Sequence, residues 1–185
     1  MKKKYSKGEI AKIILISMAI IGMGITFIAL PGTAYIFQLF KPKNGQDKHR
    51  IRQSLHGLEK NNFVRRYNKN GQEFIELTSK GKQKVYKYQI DEISLKKKKK
   101  WDGEWVLIAF DIPENKKGAR NALSRKLKEI GCYPLQKSLF AYPYECKEEI
   151  DFVTNYFKVS KYVYYMKVRD IEGGDGKLKK HFNLR

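Results

Sequence analysis

The side chains with the plainest chemical potential lie close together. Lys48, His49, Arg50, Arg52, Gln53, His56 and Lys60 fall within a few helical turns. All can donate hydrogen bonds, and most carry positive charge. Arg and Lys suit phosphate oxygens, while Arg and Gln can pair with base edges in a DNA groove. A second donor-rich group follows at Arg65, Arg66, Asn68 and Lys69. A solvated polar face is the ordinary role of such residues. Their concentration in two adjacent segments makes a nucleic-acid surface the sharper reading. Asp111 is the remaining candidate, a carboxylate at the end of an apolar run. Such an acid can hold Mg²⁺ or Mn²⁺, and the metal can activate water for phosphodiester cleavage. The plainer alternatives, which the sequence favours, are that Asp111 caps the next helix or pairs with Arg120. Asp111 is therefore the sole candidate for a catalytic and metal residue, and otherwise no cofactor is expected.

The remaining reactive residues exclude more than they suggest. Cys132 and Cys146 lack CxxC spacing, and His49, His56 and His181 complete no metal pattern with them. That argues against a disulfide scaffold or a cysteine-only zinc site, and fits a reducing cytoplasm. No Walker loop, GxSxG elbow or HExxH motif is present.

Composition points the same way as the donor clusters. The chain has 185 residues, with 39 Lys or Arg against 19 Asp or Glu, for a net charge of +20. Such a surface attracts polyanions, so nucleic acid or an anionic membrane is the expected partner. Apolar residues make up 42%, enough for a packed core. The length suits one ordinary domain or two small ones, and is too short for a TIM barrel or a two-domain dehydrogenase. Lys96 to Lys100 is an unbroken lysine run that cannot be buried. The expected organisation is a DNA-binding domain over 1–95, a linker over 96–100, a dimerisation domain over 101–172 and a basic tail over 173–185, mobile at least in part.

The first half supplies elements that could position the donors. Ile13 to Leu30 carries no charge and ends at Pro31-Gly32. Its length qualifies it as a membrane-spanning candidate, while the alternative is a helix buried in a protein core or dimer interface. Ser17, Gly22, Gly24 and Thr26 suit close helix contact in either setting. Thr33 to Phe40 reads as a short apolar helix or turn. Asp47 is expected to cap a helix reaching about Asn61, with Ile51, Leu55 and Leu58 on its inner face. Phe63–Tyr67 and Gln72–Leu77 alternate like strands around Asn68-Lys69-Asn70-Gly71, a hairpin signal. Thr78 or Ser79 is expected to cap a further helix to about Ile93.

Helix, helix, basic helix and basic hairpin is the order of a winged helix-turn-helix. The runs RIRQSLHGLEKNNFVRR and FIELTSKGKQKV resemble winged-helix regulators, in which a Leu-Thr-x-x-Gly end to the wing is frequent. The resemblance implies that the basic helix enters the major groove of double-stranded DNA while the hairpin reaches a neighbouring backbone. Arg50 and Arg52 are the residues from which base discrimination is expected.

In the second half, Trp105 to Ile112 reads as a central strand stopped by Pro113. Asn115 to Ile130 is amphipathic, with Ala119, Ala122, Leu123, Leu127 and Ile130 on one side, and Gly131 ends it. Short strands are expected near Cys132–Leu135 and Ser138–Tyr142, a helix over Cys146–Phe157, and a last strand over Tyr162–Val168. The order βαββαβ is that of a ferredoxin-like domain, so the fold class is α+β with a winged helix in front.

WDGEWVLIAFDIPENKKGARNALSRKLKEIGCYPLQKSLFAYP is similar to the central domain of PaaX-type transcriptional repressors, regulators of phenylacetic-acid catabolism. The matching features are Trp101 and Trp105, Phe110 to Glu114, Arg120, Leu127, Gly131 and Phe140. That domain is in turn similar to the small dimeric nuclease of the CRISPR adaptation complex, the second CRISPR-associated protein family, through Asp111, Gly131 and Gln136 to Phe140. Full PaaX-type repressors carry a further C-terminal domain that has no counterpart in this sequence. A response to phenylacetyl-CoA is therefore not carried over. The resemblance implies a cytoplasmic homodimer that binds DNA and represses transcription. Two alternatives accompany it: a metal-dependent nuclease built on Asp111, and a nucleic-acid-binding protein tethered to the cytoplasmic membrane through Ile13 to Leu30.

Overall fold

The computed structural model describes residues 5–22, 30–97 and 100–184. The chain divides into two units, Met1–Asp91 and Glu92–Arg185. Elements are mixed helix and sheet, in agreement with the α+β expectation.

The core of the first unit begins with helix α1 (Lys7–Gly22). Ser6 and Glu9 start it as a reciprocal pair: the Glu9 N–H donates to Ser6 Oγ at 3.2 Å, and the Ser6 N–H donates to Glu9 Oε2 at 2.7 Å. Each bond satisfies a donor that the first helical turn would leave unpaired. Ile10, Ile14, Leu15 and Met18 recur at helical spacing and are buried. They share one cluster with Ile51, Leu55 and Leu58 of α3 (Gly45–Lys60), and with Val64, Ile75 and Val85. The Ser54 hydroxyl donates to the Lys7 carbonyl at 3.2 Å, tying α3 to the start of α1.

α1 therefore directs much of its apolar surface into protein. No helix among the described residues is long and apolar enough to cross a membrane. Within the uncharged stretch, α1 is described as far as Gly22, residues 23–29 lie outside the described residues, and Leu30 belongs to a strand. At its far end a strand not expected from the sequence, β1 (Leu30–Pro31), pairs antiparallel with β3 (Gln72–Leu77). Pro31 is tolerated because β1 is an edge strand. Helix α2 (Gly32–Phe40) follows.

β2 (Val64–Lys69) and β3 form the expected hairpin, with Lys69 opposite Gln72. Asn70 and Gly71 alone make the turn, at φ 53° and 78°. Both values are those of a type I′ turn, whose twist matches the flanking strands. The sheet order is β1-β3-β2.

Leu77-Thr78-Ser79-Lys80-Gly81 joins the hairpin to α4 (Ser79–Glu92). Thr78 Oγ1 accepts the Gly81 N–H at 3.0 Å, and the Thr78 N–H donates to the Phe63 carbonyl at 3.0 Å. A Cβ on Gly81 would lie 1.9 Å from that same carbonyl oxygen. The Leu-Thr-x-x-Gly pattern thus has a steric cause: the start of α4 rests directly on the backbone between α3 and β2.

The second unit contains β4 (Trp105–Phe110), α5 (Lys117–Glu129), β5 (Tyr133–Gln136), β6 (Leu139–Tyr142), α6 (Lys147–Tyr156), β7 (Val163–Val168) and α7 (Asp175–Phe182). The sheet order is β5-β6-β4-β7, every pair antiparallel. The central strand β4 reads as an unbroken apolar run because both of its sides are covered to some extent. Val106, Ile108 and Phe110 are buried, as are Leu123 and Leu127 of α5 and Ile150 and Val153 of α6. On the opposite side, Trp105 clusters with Ala141 and with Leu178 of α7, and Leu107, Val168 and Phe182 border them.

Within the basic tail expected to be mobile in part, the structure contains helix α7, seated on the sheet. Leu178 is 0% exposed, and the Trp105 indole N–H donates to Asp175 Oδ1 at 2.8 Å. One buried leucine, one aromatic at Phe182 and one indole bond anchor α7 onto the sheet. Asp175 is held below the usual carboxylate range by Lys179 and then by that indole.

Candidate nucleic-acid interface

The donor cluster becomes a surface through the way α3 is capped and buried. Its N-cap is Asn44, whose Oδ1 accepts the Asp47 N–H at 2.9 Å. Asp47, the expected cap, sits in the first turn and accepts the Lys43 N–H at 3.3 Å. Its carboxylate complements the positive helix end instead. Ile51, Ser54, Leu55 and Leu58 turn inward. With one side fixed, the exposed positions follow from 3.6 residues per turn.

His49, Gln53, His56 and Lys60 run along the outward stripe and are exposed. Lys48 and Arg52 flank it on one side, also exposed. The Arg52 guanidinium lies over the Phe37 ring of α2, 5.5 Å from its centroid. Arg50 is half-buried on the other flank. At about 100° per residue, Arg50 and Arg52 point roughly 160° apart, so one base pair cannot meet both. That geometry suits two flanking phosphate strands better than shared base reading. His49 and Gln53 are joined by a 2.7 Å Nε2–Nε2 hydrogen bond. Gln53 keeps its oxygen and a second N–H for a base edge.

The hairpin carries its cations differently. Arg65 pairs with Glu76, its direct cross-strand partner. Arg66 donates from Nε to Glu59 Oε1 at 2.7 Å and from Nη1 to Glu73 Oε2 at 3.0 Å. The Glu59 bond first, and Glu73 with it, raise the Arg66 pKa above its ordinary value. Because Glu59 lies on α3 and Glu73 on β3, this guanidinium clamps the hairpin to the basic helix. Asn68 and Lys69 are exposed beside the turn. The stacked rings of Tyr67 and Phe74, 5.6 Å apart, stiffen the ladder behind them.

The structure therefore places Lys48, His49, Arg52, Gln53, His56 and Lys60 on one outward side, sets Arg50 apart, and draws Arg65 and Arg66 into ion pairs. The sequence reading passed over Glu59, Glu73 and Glu76, which do the neutralising. A signal existed for Glu76, because the Asn-Gly turn sets a register in which it faces Arg65.

Asp111 fulfils neither of its expected plain roles. Its carboxylate is exposed, and its backbone N–H donates to the Tyr162 carbonyl at 3.0 Å. Arg120 pairs with Glu114 at 3.0 Å, and the short 3-10 turn Glu114–Lys116 has no side-chain cap. Among the described residues, no group of three His, Cys, Asp or Glu is placed to hold a metal ion. Burial raises the pKa values of the thiols of Cys132 and Cys146, the latter to about 12, so both are poor nucleophiles.

Residues 98–179 match the family model of the PaaX protein central Cas2-like domain. The match lies wholly within the second unit. No curated protein matches the chain.

Proposed function

We propose that the protein is a DNA-binding transcriptional regulator of the PaaX type, acting in the cytoplasm as a homodimeric repressor. On this reading Met1–Asp91 is a winged helix-turn-helix, with α3 in the major groove and the β2–β3 hairpin as its wing. Glu92–Arg185 is a ferredoxin-like dimerisation domain. The family match over 98–179 supports a regulator in general.

The observation that carries the reading is the outward stripe of α3. His49, Gln53, His56 and Lys60 present donors away from the core, with arginines on both flanks. A helix has the width of the major groove, Gln can pair bidentately with adenine, and flanking cations meet phosphates. The roles follow: Gln53 and His56 read bases, Lys48, Arg50, Arg52 and Lys60 hold the backbone, and Lys69 with Asn68 reaches it from the hairpin.

Dimerisation fits the uncovered half of the second sheet. Register places Leu107 opposite Met166 and Ala109 opposite Tyr164, on the side where α7 covers Trp105. Tyr164 is 63% exposed and Met166 39%. A chain of net charge +20 repels its own copies, so an apolar, uncharged patch is where two would meet.

Footprinting on DNA upstream of the protein's own gene, with and without divalent metal, tests the proposal. The expected result is protection of two symmetric half-sites without cleavage. Binding that does not distinguish this DNA from random duplex would overturn it, and metal-dependent cutting lost in Asp111→Ala would replace it with a nuclease.

A further inference from the structure

The second unit holds a cationic concavity that the DNA reading does not use. It lies between α5 and the β5–β6 turn and has a volume of about 530 Å³. That size falls within the range of small-molecule sites. From α5, Lys117, Arg120 and Lys128 line it at helical spacing, and Lys137 closes it from the turn. The rest of the lining is neutral and polar: Asn121, Ser124, Gln136 and Ser138. It contains no acidic or hydrophobic residue, so neither a cation nor a greasy ligand finds a match there.

Its charges are incompletely balanced. Glu114 at the rim is shared between Lys117, at 3.3 Å, and Arg120, at 3.0 Å. Lys128 and Lys137 have no ion-pair partner among the described residues. The turn is anchored, because the Phe110 N–H of the central strand donates to the Ser138 carbonyl at 3.0 Å. The backbone that carries Lys137 and Ser138 is thus fixed to the sheet. Cations gathered around a hollow repel one another, and a multiply charged anion relieves that repulsion. Arginine and lysine supply the charge, and the amides and hydroxyls supply direction.

We propose that this groove binds a small ligand carrying two or more phosphate groups. The proposal is independent of DNA recognition by α3. Calorimetric titration of the full chain with sodium tripolyphosphate, at an ionic strength of ~0.15 M, tests it. One saturable site per chain is expected. Lys128→Glu combined with Lys137→Glu, both on exposed positions, should weaken it about tenfold or more. Arg120→Ala should weaken it as well. Gln53→Ala should leave it unchanged, which separates this site from the α3 surface. Absence of saturable binding, or equal affinity in the double variant, would overturn the proposal. A duplex competition identifies the source of phosphate. If tripolyphosphate displaces DNA, and the double variant loses duplex affinity by the same factor, the groove holds nucleic-acid backbone and the small-ligand proposal is overturned. Undisturbed duplex binding supports it.

Discussion

Helix α3 and the β2–β3 hairpin are adjacent in sequence and both rich in cations, yet they dispose of charge in opposite ways. Among the described residues, the outward His49, Gln53, His56 and Lys60 of α3 are drawn into none of the hairpin's ion pairs with Glu59, Glu73 and Glu76. On the hairpin, Arg65 meets Glu76, and Arg66 meets both Glu59 and Glu73. A guanidinium already held by two carboxylates has little left to offer a phosphate. The difference teaches that a count of basic residues measures overall attraction to a polyanion, whereas their partners decide which of them can make contact. The hairpin arginines are structural, and the helix donors are available.

The largest effect is expected where both regions share a support. Gly81→Ala forces a Cβ to within 1.9 Å of the Phe63 oxygen, a backbone atom that cannot swing aside. Overpacking against a fixed partner should cost about 3 kcal/mol. Thermal denaturation of the first unit should show it, while the second unit keeps its transition. Because Phe63 lies between α3 and β2, this variant should impair helix and hairpin together. Survival of full stability would mean that the two regions do not share this joint.

Next in size is a test on α3 itself. Gln53→Ala should remove about 1–3 kcal/mol of discrimination between operator and random DNA. His56→Ala should act in the same direction. Equal loss on both kinds of DNA would turn Gln53 into a backbone contact and erase its distinction from the flanking cations.

Arg66 should give an intermediate result with a different signature. It acts through the position of the hairpin, so Arg66→Ala should lower affinity on every sequence by about 1 kcal/mol while leaving discrimination intact. Glu73→Gln should reproduce part of that loss although it removes a negative charge. A direct phosphate contact predicts the opposite, since discarding an acid should then strengthen binding.

Legibility in the sequence followed the range of the interaction. The hairpin was readable because Asn70-Gly71 acts locally on the backbone, and the inner face of α3 was readable because Ile51, Leu55 and Leu58 repeat at its period. The two-residue β1 and the eight-residue α7 are too short to show a period. Their stability comes from remote partners, Ile75 and Phe74 for the strand and Trp105 for the helix. The candidate surface was legible in part: the divergence of Arg50 and Arg52 follows from their spacing once α3 is read as a helix, whereas the clamping of Arg66 required Glu59 and Glu73 to be brought to it by the fold.

The smallest expected effect compares single charges by their dependence on salt. Each cation that displaces a counterion from a phosphate contributes close to one unit to the slope of log K against log salt. Lys60→Ala on α3 and Lys69→Ala at the hairpin tip should each reduce that slope by about one. Arg65→Ala should reduce it by far less, because its guanidinium is paired with Glu76 across the strands before DNA arrives. Its loss in affinity should stay near 0.5 kcal/mol or below, the range of an exposed ion pair. Removing Glu76 supplies the converse. In Glu76→Gln the freed Arg65 should steepen the slope by up to about one, since the charge then has only phosphate to pair with. If Arg65→Ala instead matched Lys60→Ala, the ion pairs on the hairpin would have to open on binding. The two regions would then differ only in the free protein.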